Sequence, residues 1–229
     1  MKKLGVLGGM GPLATVVFYH RLVEACSPRP DQEHIETLLW SHTTLPDRTK
    51  SIAGGEKTRR RFVNLIREDL KMLKREGCEV IAIPCNTSHY FYDLFNEDPE
   101  LEILNMVEGT IRHIAEHDPE ADKIAVFATE GTNGTGVYEK YAEHYGISTV
   151  KLDPADQKII SDIIYGVKRT SSRDYPKLNY LIAKYLKAGA RKIILACTEL
   201  SLVNVDEALR TDVVDAMDIL VELSRKACL

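Results

Sequence analysis

Eight short apolar runs divide the 229 residues into two similar halves. In the first half they are "LGVLG" (4–8), "ETLLWSH" (36–42), "EVIAIPC" (79–85) and "LEILNM" (101–106). In the second they are "KIAVFAT" (123–129), "STVKLD" (148–153), "RKIILAC" (191–197) and "TDVVDAM" (211–217). Each has the length of a strand, and long amphipathic stretches separate most of them. "ATVVFYHRLVEAC" reads as a helix after the first run. "KTRRRFVNLIREDLKMLKREG" puts Phe62, Val63, Leu65, Ile66, Leu70 and Leu73 at helical spacing before Gly77 closes it. Alternation of this kind predicts parallel sheets covered by helices.

The spacing repeats as well. Between strand centres at Val6, Leu39, Ile83 and Ile103 the steps are 33, 44 and 20 residues, and between Val126, Val150, Leu195 and Val214 they are 24, 45 and 19. The last two steps agree, which predicts an internal duplication. The expected fold is α/β, with two domains that each hold a mostly parallel four-stranded sheet flanked by helices. The division falls near residues 106 and 107, where a helical stretch ending in "HDPEAD" connects the halves.

Composition narrows the chemistry. Thirty basic residues against thirty-four acidic ones give a net charge of −4, and no like-charge block exceeds Arg59, Arg60 and Arg61. Nothing here favours nucleic acid or a membrane surface as a partner. The opening "MKKLGVLGGMGPLATVVF" has the charge of a signal peptide, but glycines and a proline break its apolar run. No segment approaches the roughly 20 apolar residues of a membrane helix, so a soluble, cytoplasmic protein is expected. The five cysteines, 26, 78, 85, 197 and 228, include no C-x-x-C pair, which argues against a disulfide framework or a zinc site. No metal is expected.

In each half the third strand ends in a cysteine followed by small polar residues: Cys85, Asn86, Thr87 and Ser88 in one, Cys197, Thr198, Glu199 and Ser201 in the other. Ligands of open α/β sheets bind outside the carboxyl ends of the strands. If the halves face each other, the two thiols do so across a cleft. A thiolate stabilised by nearby N–H groups is a base, so one thiol can take a proton from carbon while the other returns one to the opposite face. Inversion of a stereocentre follows, provided that hydrogen-bond donors stabilise the carbanion; Asn86, Thr87 and Thr198 are suitable. Cys26, Cys78 and Cys228 lack this context and read as structural.

The first turn, "LGGMGPLA", spells G-x-G-x-x-A at Gly9, Gly11 and Ala14. A dinucleotide site needs an acid at the end of the second strand, but that strand runs into "WSHTT", and Pro12 stands where a phosphate-binding N–H belongs. The glycines therefore read as allowing close backbone approach to a small carboxylate.

These pieces together resemble the aspartate/glutamate racemase family of pyridoxal-phosphate-independent amino-acid racemases, in its aspartate and broad-specificity branch. The resemblance lies in "GVLGGMGPLAT", "DQEH" (31–34), "LPDRT" (45–49), "AIPCNTSHYFYD" (82–93), "LNM" (104–106), "VFATEGTNGTGVYE" (126–139), Lys168 in "IIYGVKR", and "ILACTEL" (194–200). It implies pseudo-twofold symmetry between the domains and a substrate cleft between them. It also implies that the final helix crosses back, so that residues 1–106 with 212–229 form the first domain and 107–211 the second. By the same resemblance Cys85 and Cys197 are the acid/base pair and work without a cofactor. Asn86, Thr87 and Thr198 hold the α-carboxylate, Met10 and its backbone shape the cleft, and Arg48 and Lys168 supply cations for substrate carboxylates. A homodimer is implied too.

The chain departs from the glutamate racemase branch, which resembles "DSG" in the first turn and "CTH" at the second cysteine, by carrying "GGMG" (8–11) and "CTEL" (197–200). Aspartate is therefore favoured as substrate over glutamate alone. Glu199 is either a proton relay for Cys197 or a first-turn acid of the next helix. His89 either faces the cleft or makes a structural hydrogen bond. Two other functions stay open at this point: a maleate cis-trans isomerase of the same superfamily, in which one cysteine adds to a double bond, and a silent amino-acid-binding relative.

Overall fold

The computed structural model describes residues 1–229. The chain forms two compact units, residues 1–106 with 217–229, and residues 107–216.

The first unit is built from β1 (Leu4–Gly8), α1 (Pro12–Ala25), β2 (Thr37–Ser41), α2 (Arg48–Ala53), α3 (Gly55–Arg75), β3 (Val80–Ala82), α4 (Tyr92–Phe95) and β4 (Glu102–Ile103). Its sheet has the order β2-β1-β3-β4 and is parallel throughout. β1 is central and wholly buried, as expected for a strand with neighbours on both sides and helices on both faces. Helix α3 lays Phe62, Val63, Ile66, Leu70 and Leu73 into the core, each contributing about 1.5–3 kcal/mol on burial. Its chain reverses at Gly77, whose φ of 83° suits a residue without Cβ.

The second unit repeats the plan. It contains α5 (Met106–His117), β5 (Lys123–Phe127), α6 (Glu130–Asn133), α7 (Val137–His144), β6 (Ser148–Val150), α8 (Pro154–Thr170), α9 (Pro176–Lys187), β7 (Lys192–Leu195) and β8 (Val213–Asp215). Sheet order is β6-β5-β7-β8, again all parallel. Strand for strand, this is the order of the first sheet. The last helix, α10 (Ala216–Cys228), belongs with the first unit from Met217 onward. The return therefore begins about five residues later than residue 212, because Val213–Asp215 are held by β7. No helix is long and apolar enough to cross a membrane.

All eight apolar runs contain a strand, but most strands stop before the run does. β3 ends at Ala82 although the run extends to Cys85. Pro84 has no N–H to give a neighbouring strand, and the backbone turns there, with the Cys85 N–H donating to the Ile83 carbonyl at 2.7 Å. This early ending frees Cys85 from the sheet.

Candidate active site

The turn after β1 is locked from inside. The Thr15 hydroxyl of α1 accepts the Gly9 N–H at 3.0 Å and donates to the Gly11 carbonyl at 2.8 Å. A Cβ at Gly8 would lie 2.2 Å from the Thr15 side chain. Gly9 has φ 89°, and a Cβ there would meet the His42 backbone at 2.6 Å. Close packing within the first unit thus requires glycine at Gly8, and it also constrains Gly9, one of the two motif glycines read as allowing close approach to a carboxylate. Met10, which follows, is buried in the same apolar cluster as Leu45, Phe62 and Cys85.

Arg48 opens α2, with Asp47 as its N-cap. Its guanidinium reaches back, donating to the Met10 carbonyl at 3.1 Å and to the Pro46 carbonyl at 3.4 Å. Arg48 and Met10 are therefore brought together. A further group in the first unit has no role in the sequence reading: Asp69, buried on α3, accepts from Trp40 Nε1 at 2.9 Å and pairs with His42 Nδ1 at 2.7 Å. A charged residue on the apolar stripe of α3 was the available signal, since it falls three positions after Ile66 and one before Leu70.

Cys85 is extended and precedes a helical turn, Asn86–Phe91, that runs into α4. Asn86, Thr87, Ser88 and His89 are all buried. The Ser88 hydroxyl and His89 Nδ1 both bond the Cys85 carbonyl, at 2.7 and 2.9 Å. Burial lowers the pKa of His89, against the pull of its backbone carbonyl partners. His89 accordingly has backbone partners beneath the Cys85 turn.

At the matching place in the second unit, Cys197 donates its thiol hydrogen to Glu199 Oε2 at 3.0 Å. Thr198 Oγ1 lies 3.5 Å from the same oxygen, and Lys168 Nζ of α8 lies 3.6 Å from Oε1. The Glu199 side chain is only 4% exposed and that of Lys168 27%. Lys168, Glu199, Thr198 and Cys197 thus form one cluster. Burial pushes the Cys197 thiol well above its ordinary pKa, the Glu199 charge adds to the rise, and the Lys168 cation opposes it. Ser201 donates to Asp215 Oδ1 at 2.6 Å, and Tyr138 is fully buried near both Asp215 and Cys197. Neither Tyr138 nor Asp215 stood out in the sequence.

The two thiols sit at corresponding positions but in unlike surroundings. Two residues after Cys197 stands a carboxylate; two after Cys85 stands Thr87. The Cys197 proton can pass to and from Glu199, a short-range proton exchange of the kind used in general acid–base chemistry. All five cysteines are free thiols. No group of three or more His, Cys, Asp or Glu residues is placed to hold a metal ion.

A family model described as Asp/Glu/hydantoin racemase matches residues 7–224. The broad-specificity amino-acid racemase RacX of Bacillus subtilis is 26% identical over 205 residues, covering 87% of this chain and 86% of that protein. Among solved structures, the Picrophilus torridus aspartate racemase matches with a TM-score of 0.85 and 26% identity, over 100% of this chain and 94% of that one. A glutamate racemase from Francisella tularensis, in complex with D-glutamate, matches with a TM-score of 0.65 and 17% identity, over 99% and 80% of the two chains.

Proposed function

The chain belongs to the Asp/Glu/hydantoin racemase family and is a racemase, and from that premise we propose that it inverts the α-carbon of free amino acids, aspartate foremost, with Cys85 and Cys197 as its two acid/base groups. The observation that carries this reading is the duplication: two parallel sheets of the same strand order, each with a buried cysteine just beyond the carboxyl end of its third strand. One thiolate takes the α-proton, so that a C–H bond breaks as an S–H bond forms. The other thiol then gives its proton to the opposite face of the carbanion. The net change is one α-hydrogen replaced on the other face, which needs no electron sink beyond hydrogen-bond donors at the substrate carboxylate.

Asn86, Thr87 and Thr198 are the donors we assign to that carboxylate. Arg48 and Lys168 are assigned to carboxylate recognition, Arg48 through a guanidinium already aimed at the Met10 carbonyl. Because Lys168 pairs with Glu199, its second role is to moderate the charge beside Cys197. Glu199 is assigned as the partner that exchanges a proton with that thiol. Aspartate is preferred because the Picrophilus relative is named an aspartate racemase, with glutamate and other amino acids as further substrates on the ground of the RacX likeness.

The free thiols this chemistry requires suit a reducing, cytoplasmic setting. The working form is taken to be a homodimer. Helix α1 leaves Val16, Tyr19 and Val23 exposed, and the edge strand β2 leaves Leu39 and Trp40 exposed, apolar surface of the kind that association covers.

Chiral chromatography of L-aspartate incubated with wild-type protein, Cys85→Ser and Cys197→Ser tests the proposal. D-aspartate from the wild type and from neither variant is the expected result. Full racemisation by either variant would overturn the two-thiol route, and conversion of maleate to fumarate without racemisation would replace the reaction.

A further inference from the structure

His89 is buried to 2% exposure and its ring touches three backbone groups. Nδ1 lies 2.9 Å from the Cys85 carbonyl, and Nε2 lies 3.4 Å from both the Leu104 carbonyl and the Met106 N–H. A carbonyl only accepts, so Nδ1 carries a hydrogen. Nε2 cannot both donate to Leu104 and accept from Met106. Burial favours the neutral ring, in which Nε2 presents a lone pair and takes the Met106 N–H. Tyr92 stacks on the imidazole, with ring centroids 6.0 Å apart and planes 8° apart, and donates its own hydroxyl to the Ile103 carbonyl at 2.7 Å. The ring is therefore fixed in tautomer and in plane.

The second unit contains a counterpart. His89 is four residues beyond Cys85, and Ser201 is four beyond Cys197. Ser201 bonds Asp215, the last residue of β8; His89 bonds Met106, three residues after β4. In both halves, then, the residue at the same step after the cysteine ties the cysteine turn to the chain leaving the fourth strand.

We propose that His89 is a positioning residue for Cys85, a neutral clamp that holds the Cys85 carbonyl to the Met106 amide and so fixes where the thiol stands. The proposal rests on the reading of Cys85 as an acid/base group. Reaching the α-carbon within bond-making distance is demanding, and a misplacement of about 1 Å can cost on the order of a hundredfold in rate.

Two variants separate the halves of the clamp. Asparagine places an amide N–H near the site of Nδ1 and keeps the bond to Cys85. Glutamine places its polar atoms near Nε2 and loses that bond. Because an amino-acid racemase has an equilibrium constant of one, His89→Gln must lower kcat/KM equally in both directions, by about tenfold to a hundredfold. The informative readout is the primary isotope effect with α-deuterated substrate. In His89→Gln it should rise only for the enantiomer whose α-proton Cys85 removes, since only that transfer has become slower. His89→Asn keeps the Cys85 half and loses the Met106 half, so its loss of rate and its asymmetry should both be smaller than those of His89→Gln. A purely structural defect would raise neither effect selectively, and an equal change for the two enantiomers, or a His89→Asn variant as impaired as His89→Gln, would overturn the proposal.

A second readout needs no turnover. Site-resolved alkylation by iodoacetamide should change at Cys85 but not at Cys197 in His89→Gln, and change less at Cys85 in His89→Asn. An unaltered Cys85 rate in His89→Gln refutes the clamp even if the protein turns over no amino acid, an outcome that by itself would sink the racemase reading. Should His89→Gln fail to fold, Ser88→Ala removes the other donor to the same carbonyl. It should give a weaker one-sided isotope effect, and a symmetric one counts against the proposal.

Discussion

Replacing Glu199 by glutamine removes the charge nearest Cys197 while keeping a side chain of the same size. The carboxylate oxygen is 3.0 Å from the sulfur. At an effective dielectric constant of about 20, Coulomb's law puts the repulsion between a thiolate and a carboxylate at that distance at about 5.5 kcal/mol. That is a ceiling, because Lys168 stands 3.6 Å from the other carboxylate oxygen and offsets part of it. If only about 1.4 kcal/mol survives, the thiolate population at neutral pH rises about tenfold in Glu199→Gln. The assay is the pH dependence of iodoacetamide alkylation at Cys197, resolved by peptide mass spectrometry, with Cys85 as internal reference. The Cys197 curve should move to lower pH and the Cys85 curve should stay. An unmoved Cys197 curve would refute the electrostatic reasoning. Turnover then separates the two roles of Glu199: as a proton relay its loss lowers kcat by about 10²- to 10⁴-fold, whereas a carboxylate that only repels the thiolate would leave kcat equal or higher.

Three further outcomes follow from the geometry. Arg48→Lys cannot span the Met10 and Pro46 carbonyls as the planar guanidinium does, so the KM for aspartate should rise by about tenfold or more, a loss of about 1.4 kcal/mol, and an unchanged KM would remove Arg48 from the site. Gly9→Ala must adopt φ 89° and meet the His42 backbone at 2.6 Å, while Gly55→Ala has φ 79° with open space around it; thermal unfolding should show a loss of about 1–2 kcal/mol for Gly55→Ala and a clearly larger one for Gly9→Ala, and equal losses would mean the His42 contact is not rigid. Alkaline stability should also fall. Burial pushes Cys228 up from 9.0 to about 11 and Cys197 well above 9.0, so the folded chain holds these protons more tightly than the unfolded one. That contribution is complete below pH 9 and is lost as pH rises through 11, which a series of urea midpoints between pH 8 and pH 11 would show as a decline or, against the account, a plateau.

The sheet plan was legible because strands buried on both faces read as apolar runs, and the repeat of their spacing revealed the duplication. Strand ends were less so, since β3 stops where Pro84 removes a donor, inside a run that is still apolar. In the glycine turn the packing was not legible: Gly8 is required by the Thr15 side chain and Gly9 by the His42 backbone, contacts that no local pattern shows. The pairing of Lys168 with Glu199 spans 31 residues and two elements, a distance at which no local pattern operates. Asp69 was hidden because a lone acid on an apolar stripe looks like an interruption until Trp40 of β2 and His42 just after it arrive to bond it. Glu199 matches both features weighed in sequence, since it stands at the N-cap of the turn Leu200–Leu202 and its carboxylate accepts from the Cys197 thiol.

The most direct test of carbon-acid chemistry at two thiols is proton NMR in deuterium oxide, with the pyridoxal-free protein and L-aspartate. The account predicts that the α-proton signal fades as solvent deuterium replaces it and that D-aspartate accumulates in step. An α-proton signal that persists for aspartate, glutamate and a panel of other amino acids would contradict it.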